Sequence, residues 1–439
     1  MTESSSTVDV VIVGGGLAGL TAATFLARAG KSVRLFEKAA NLGGLAASSN
    51  HDGYWFNRGI HAIYSGGSTE DVLRELGITY TYGSPKETFL LHKGRIAVFP
   101  ASASALMSSP LLTFGDKWEM VRVLSAVPRL HPESLGNLSV NQWLSQTCKR
   151  PMVRQLLAST AWVFTYCSNL DLVSAEVFVK KLQLSLKHPV LYLDGGWQTL
   201  VDGLRQAASQ AGASLQSGTR VTAVRHQDGQ VQGVQLADGI LVDASSVILA
   251  VRPEDATRLV DEGAYAPLQE IVTPLVPARV ACLDVALSRL PEPRYPVVQD
   301  MEQPRFLSAQ SAYSRVAPPD GAMIYTFKML DPTNPGDPKQ NERELEGLLD
   351  TVQPGWRDVL VRRSFLPHIE AVGMLPTAQA GGYAGRPEPV VPGIANLYLS
   401  GNWVGPGFLS DPSMGSARQV ARVILTSEKQ VLSSPLSQG

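Results

Sequence analysis

Residues 8–37, VDVVIVGGGLAGLTAATFLARAGKSVRLFE, decide the fold of this 439-residue chain. Residues 8–13 are a short β-branched run and read as a buried strand. The glycine-rich stretch 14–19 follows at once. Residues 20–29 then read as a helix, apolar on most faces and ended by Gly30. Residues 32–37 supply a second strand. Strand, helix and strand in succession form a crossover, which implies a parallel sheet covered by helices. Each glycine of Gly14-x-Gly16-x-x-Gly19 has a physical reason. Gly14 permits the tight turn out of the strand. Gly16 lets the backbone approach a diphosphate without a Cβ clash, and Gly19 lets helix and strand pack closely. The diphosphate would then rest on the free N–H groups and positive end of the helix dipole. Glu37, 18 residues beyond Gly19, can accept hydrogen bonds from a ribose.

Outward from this unit the pattern changes. Between 68 and 189, helical segments near 69–76, 116–126, 140–148 and 152–160 are split by Pro and Gly, with a short strand pair near 88–99. At Leu191 the α/β rhythm resumes. Gly195-Gly196 precedes a helix at 199–211. Strands at 220–226, 231–236 and 240–242 are joined by Asp-Gly turns, and 246–251 is another buried parallel strand. Alternating runs at 279–287 and 322–329 predict an antiparallel sheet in a second domain. An exposed amphipathic helix follows at 342–352, then a strand at 397–400. The last helix spans 411–426, with Asp411 as N-cap and Pro412 at N1. The expected architecture is α/β. A Rossmann-type nucleotide-binding domain is built from 1–67, 190–272 and 364–439. An α+β substrate domain, a helical segment plus antiparallel sheet, is inserted as 68–189 and 273–363.

Composition narrows the function. Lys plus Arg is 38 and Asp plus Glu is 39, a net charge of −1, which leaves no electrostatic footprint for nucleic acid. At 44% hydrophobic and 18% charged, the chain is globular and not disordered. Cys148, Cys167 and Cys282 are scattered, without disulfide or zinc spacing, so a reducing, cytoplasmic setting and no metal are expected. Residues 1–7 lack the basic region of a signal peptide, and no uncharged apolar stretch of ~18 residues is present.

The residues after the second strand carry a resemblance. Asn41-Leu42-Gly43-Gly44-Leu45 is followed by GYWFNRGIHAIY at 53–64. Together with the glycine loop and Glu37, this resembles the FAD-dependent oxidoreductases that include phytoene-desaturase-like enzymes, protoporphyrinogen oxidase and the flavin amine oxidases. Residues 396–421, NLYLSGNWVGPGFLSDPSMGSARQVA, resemble that family's terminal flavin motif: a strand, a Gly-acid pair and a helix whose amino end points at the flavin. Segments 191–204 and 158–184 match in place. The resemblance implies FAD as cofactor and assigns its contacts. Gly14, Gly15, Gly16, Leu17, Ala18 and Gly19 hold the diphosphate. Glu37 and Lys38 lie at the adenosine ribose, and Val221 meets the adenine through its backbone. Gly43, Gly44 and Leu45 continue along the cofactor. Gly59, Ile60 and His61 line the isoalloxazine, while Gly401, Asn402, Ser413 and Met414 reach the ribityl chain and ring. Two positions depart from the pattern: Asn402 stands where the family has an acid, and Ile60 replaces a frequent Pro. A second dinucleotide motif is missing, because the glycines at 381–385 lack a following helix pattern. The flavin would be reduced by the organic substrate and reoxidised by oxygen or another acceptor.

Few side chains stand out as catalytic. His61 reads as a hydrogen-bond donor near flavin or substrate, or as a structural histidine beside the cofactor. Tyr64, Tyr166 and Trp197 read as walls of a substrate pocket or as packing residues. Lys328 reads as the lysine amine oxidases place near the flavin, or as a solvated lysine. The implied chemistry is hydride removal from an apolar or amine small molecule, by C–C desaturation or C–N oxidation. A flavin amine oxidase proper, a non-redox isomerase or mutase, and a non-catalytic binding protein on the same fold are the alternatives. A homodimer is left open. So is peripheral membrane contact through 101–114, by which an apolar substrate could be drawn from a bilayer.

Overall fold

The computed structural model describes residues 7–59 and 61–433, with side chains through 426. Two seven-stranded sheets organise the chain. In the first, Ser214–Gln216, Val33–Phe36, Val8–Val13 and Leu241–Leu249 run parallel, and Leu397–Leu399 joins the last of these, also in parallel. Val10, Val11 and Ile12 are fully buried, as a strand covered on both faces must be. The helix Leu17–Arg28 begins three residues before the predicted 20–29, because Gly16 is its N-cap in an extended conformation. It packs against the helices Gln198–Gln210 and Ser410–Ser433.

The predicted strands at 240–242 and 246–251 are one strand, Leu241–Leu249. Its first half pairs antiparallel with Gln230–Leu236 and its second half parallel with Val8–Val13. The residues 243–245 between them read as polar, yet both neighbours recruit them into a continuous ladder.

The second sheet runs Leu360–Val372, Ala278–Leu287, Ala322–Met329, Arg305–Ser308, Val297–Asp300, Phe89–His92 and Arg95–Val98. The strand pair predicted near 88–99 therefore joins this sheet, through a parallel pairing of Phe89 with Val298. Leu360–Val372 pairs along Ala278–Leu287 as far as residue 372, so this sheet continues past residue 363. Alternation sorts the strand residues between two cores. Val280, Cys282, Tyr325 and Phe327 face the helices Phe114–Ala126, Val140–Thr147, Pro151–Thr165 and Ala175–Ser185. Leu283 and Val285 face the helix Pro338–Val352.

The C-terminal helix differs from expectation at its start. It begins at Ser410, and Asp411 does not cap it. Instead the Asp411 carboxylate accepts from the Thr69 N–H and hydroxyl, both at 2.9 Å. The helix Ser68–Glu75 starts from Gly67, which has no side chain to cap it. A carboxylate from 342 residues away satisfies that end.

Candidate active site

The parallel strands end together at Val13, Phe36, Leu249 and Leu399, and the loops leaving them converge. Ligands of open α/β sheets bind at this edge. The Gly14 N–H donates to the Phe36 carbonyl (2.8 Å) and Gly15 N–H to Glu37 Oε2 (2.7 Å). Glu37 Oε1 accepts from the Ala39 N–H, also at 2.7 Å. A carboxylate has about four lone-pair sites, so two remain for a ribose. The Gly43 N–H donates to the Gly15 carbonyl (2.7 Å), which sets Gly43-Gly44 directly against the glycine loop.

Three glycines of the motif differ in what surrounds them. A Cβ on Gly14 would lie 2.3 Å from the Ala250 carbonyl oxygen, and one on Gly19 1.9 Å from that of Gly14. These two close the strand-to-helix turn. A Cβ on Gly16 would meet nothing nearer than the Gly43 oxygen at 3.9 Å. The helix behind it carries no side-chain cap and no acid in its first turn. An open backbone, free N–H groups and an unopposed helix dipole make an anion cradle.

The sequence motif at the far end of the chain returns to the same edge. The Gly401 N–H donates to Ser416 Oγ (3.1 Å), which ties the loop to the start of the last helix. Asn402 uses both halves of its amide: Oδ1 accepts from Gly373 N–H (3.2 Å) and Nδ2 donates to the Ala371 carbonyl (3.3 Å). A carboxylate could not donate to Ala371, which gives a physical reason for an amide at this position. Arg386 is buried beneath this loop. Its guanidinium donates to the carbonyls of Asn402, Gly405 and Met374. It has no ion pair among the described residues, and burial lowers its pKa to about 10.

The sequence model of the family described as flavin containing amine oxidoreductase matches residues 17–425. The chain belongs to that family. Its cofactor is FAD, and the cradle at Gly16 fits the diphosphate. A candidate flavin-containing monoamine oxidase of Mycobacterium tuberculosis is 29% identical over 272 residues, which cover 58% of this chain and 59% of that protein. The 15-cis-phytoene desaturase of Arabidopsis thaliana is 26% identical over 282 residues, 57% of this chain and 49% of the desaturase. The chain spans about half the length of the curated relatives it matches. An oxidoreductase structure from Methanosarcina mazei superposes with a TM-score of 0.76 at 20% identity, covering 94% of this chain and 100% of that one. At that identity the likeness is one of fold.

On the flavin oxidoreductase fold, Gly59 and His61 lie where the two sheets meet. A Cβ on Gly59 would stand 3.5 Å from Cys282 Sγ. Ile60 lies outside the described residues. The His61 ring sits 4.8 Å from that of Trp197. His61 Nδ1 and Trp197 Nε1 are both fully covered and have no hydrogen-bond partner among the described residues. Burial lowers the His61 pKa to about 4, with the Gly59 and Leu45 backbone opposing the shift. The ring keeps some accessible surface.

Tyr64 packs edge-on to Phe164, with ring centroids 6.2 Å apart. The Lys181 amine lies over the face of Tyr64, 4.1 Å from its centroid. Tyr166 terminates the helix Pro151–Thr165 in the left-handed region (φ 54°, ψ 28°), a conformation that costs a non-glycine residue on the order of 1–3 kcal/mol. Stacking on Phe327 at 5.3 Å holds it there. Burial raises the phenol pKa of both Tyr64 and Tyr166, so both phenols are uncharged at neutral pH.

Other expected contacts fall differently. Lys38 turns its amine to Asp255 (2.9 Å). Val221 is buried close to Glu37, whose carbonyl accepts from the Thr219 N–H (2.8 Å). Met414 is fully buried in the core under the first sheet. Ser413 lies one residue before it in the first turns of the helix. Lys328 is neither solvated nor beside Gly59. It pairs with Glu344 (2.6 Å) and Asn341 (2.9 Å) on the helix Pro338–Val352, because its strand position faces away from Tyr325 and Phe327.

Three further buried charged residues carry only faint signals in the sequence. Lys181 interrupts an apolar helix stripe of Val177, Phe178 and Leu182, and that interruption was the available signal. Asp284 interrupts an apolar strand in the same way. Both its oxygens are covered and have no partner among the described residues, and burial raises its pKa well above the usual carboxylate range. Arg386 lies in a loop, where no periodicity exposes it.

The His61 shift has a sign that can be measured. A pKa lowered from 6.5 to about 4 gives stability that is full above 6.5 and lost as pH falls toward 4. On acidification from pH 7 to 4, the wild type should lose about 3 kcal/mol more than His61→Gln, read from urea unfolding of the FAD-loaded proteins. Equal losses would place the ring in an environment that does not desolvate it.

Proposed function

We propose that the chain is an FAD-dependent oxidoreductase that removes a hydride from a C–H bond of an uncharged, apolar organic molecule. The observation that carries this reading is the cluster of neutral aromatic rings at Tyr64, Phe164 and Tyr166. Tyr64, Phe164 and Tyr166 supply apolar surface, and His61 is uncharged at neutral pH. The face of Tyr64 that could attract an ammonium substrate is taken by the Lys181 amine. Both features favour C–C desaturation over oxidation of a charged amine.

Bound FAD supplies the two-electron acceptance, and oxygen or another acceptor would reoxidise it. The chain's residues bind and position. Gly16 and the helix amino end hold the diphosphate, while Glu37 holds the ribose. The aromatic cluster orients the substrate and excludes water. The test is anaerobic bleaching of the flavin against polyenes, reduced tetrapyrroles and amines. Bleaching by an apolar polyene or polycycle, with amines inert, is the expected result. Faster bleaching by amines would overturn the substrate class. Turnover of any compound without bleaching or a net change in electrons would overturn the redox reading in favour of an isomerase.

A further inference from the structure

The outer face of the helix Phe114–Ala126 is apolar where a globular surface should be polar. Met120 and Val123 fill its inner face, in the core. Phe114, Trp118 and Val121, spaced i, i+4 and i+7, remain 81%, 69% and 44% exposed. Met107, 57% exposed, lies on the neighbouring short helix Ala103–Ser108. Lys117 Nζ donates to its carbonyl (2.6 Å) and brings it beside this face. Contiguous exposed apolar surface of this kind marks an interaction site.

Charge selects the partner. The two acids of the helix turn inward. Asp116 binds Thr113 and Arg150 Nε (2.5 Å), and Glu119 accepts the N–H groups of Lys149 and Arg150 at 2.9 and 2.8 Å. Arg122, Arg129 and Lys149 are exposed. Lys117, Arg129 and Lys149 have no ion pair among the described residues. Residues 101–154 contain six Lys or Arg and three Asp or Glu, on a chain of net charge −1.

We propose that this face docks the protein on an anionic lipid bilayer. Trp and Phe settle at the headgroup level of a membrane. Arg and Lys extend their stems along apolar surface and meet anionic headgroups. A second copy of the chain would bring the same cations against one another across a two-fold axis, which disfavours a dimer here. No helix among the described residues is long and apolar enough to cross a membrane, so contact is from the surface. The inference rests on this face alone and is independent of the reaction.

The test uses the full, FAD-loaded chain with vesicles of phosphatidylcholine, with and without phosphatidylglycerol. Sedimentation with the anionic vesicles is expected, together with a blue shift of tryptophan emission that Trp118→Phe removes. Phe114→Ser/Trp118→Ser should weaken partitioning at least about a hundredfold. Arg122→Gln/Arg129→Gln should weaken it about tenfold and flatten its salt dependence. Flavin content and far-ultraviolet circular dichroism should stay as in the wild type, which separates lost docking from lost folding. Failure to sediment with anionic vesicles would overturn the proposal, as would double variants that bind like the wild type. A concentration-dependent dimer abolished by Phe114→Ser/Trp118→Ser would assign the face to a second copy and overturn it too.

Discussion

Gly16→Val should purify as a folded but colourless protein. The backbone at Gly16 (φ −78°, ψ −174°) suits any residue, and a Cβ there meets only the Gly43 oxygen at 3.9 Å. A branched residue at an N-cap costs about 1 kcal/mol relative to a good cap, which a domain of this size can absorb. The same branched side chain occupies the space over the helix amino end that a diphosphate needs. FAD affinity should fall more than about a hundredfold, equivalent to ~3 kcal/mol. Circular dichroism and proteolysis should match the wild-type apoprotein. Gly19→Val is the contrasting case. Its Cβ would lie 1.9 Å from a backbone oxygen that has no room to move, so folding itself should fail. A yellow Gly16→Val protein with one FAD per chain would show that the diphosphate does not lie over this glycine.

Arg386→Met should destabilise the protein by about 3–5 kcal/mol. The side chain serves three buried carbonyls, of Met374, Asn402 and Gly405, and each left unpaired costs about 1–3 kcal/mol. Removing a buried charge that lacks a counter-ion offsets part of this loss. Met replaces the volume but none of the bonds. Arg386→Lys keeps the charge, yet a single ammonium cannot reach three carbonyls set by a planar fork, so it should restore little. The loop from Gly401 to Gly407 should open first, which protease cleavage within it and loss of FAD would report. A urea midpoint equal to that of the wild type would mean the loop is held by its other contacts, such as Gly401 N–H to Ser416 Oγ.

Much of this molecule is legible from local pattern. The crossover of residues 8–37 and the antiparallel runs near 279–287 and 322–329 follow from periodicity over a few neighbours. Those segments form the elements Val8–Val13, Leu17–Arg28, Val33–Phe36, Ala278–Leu287 and Ala322–Met329. The roles of individual side chains are less legible. Asp411 reads as the cap of its own helix and in fact satisfies Thr69. Lys328 reads as solvated or flavin-facing, and its strand parity sends it instead to Glu344. Asn402 reads as a weakened flavin ligand, and its amide is engaged by the strand end at Ala371 and Gly373.

By itself, the sequence determined the glycine turn and the open helix end behind it, because spacing between glycines, strand and helix is a property of neighbouring backbone. Only the tertiary structure decided which side chains meet. The uncharged phenols of Tyr64 and Tyr166, the amine of Lys181, the buried acid of Asp284 and the strap of Arg386 come from segments far apart in the chain. Their neighbours are chosen by packing and strand register, and no local periodicity encodes a partner at that distance.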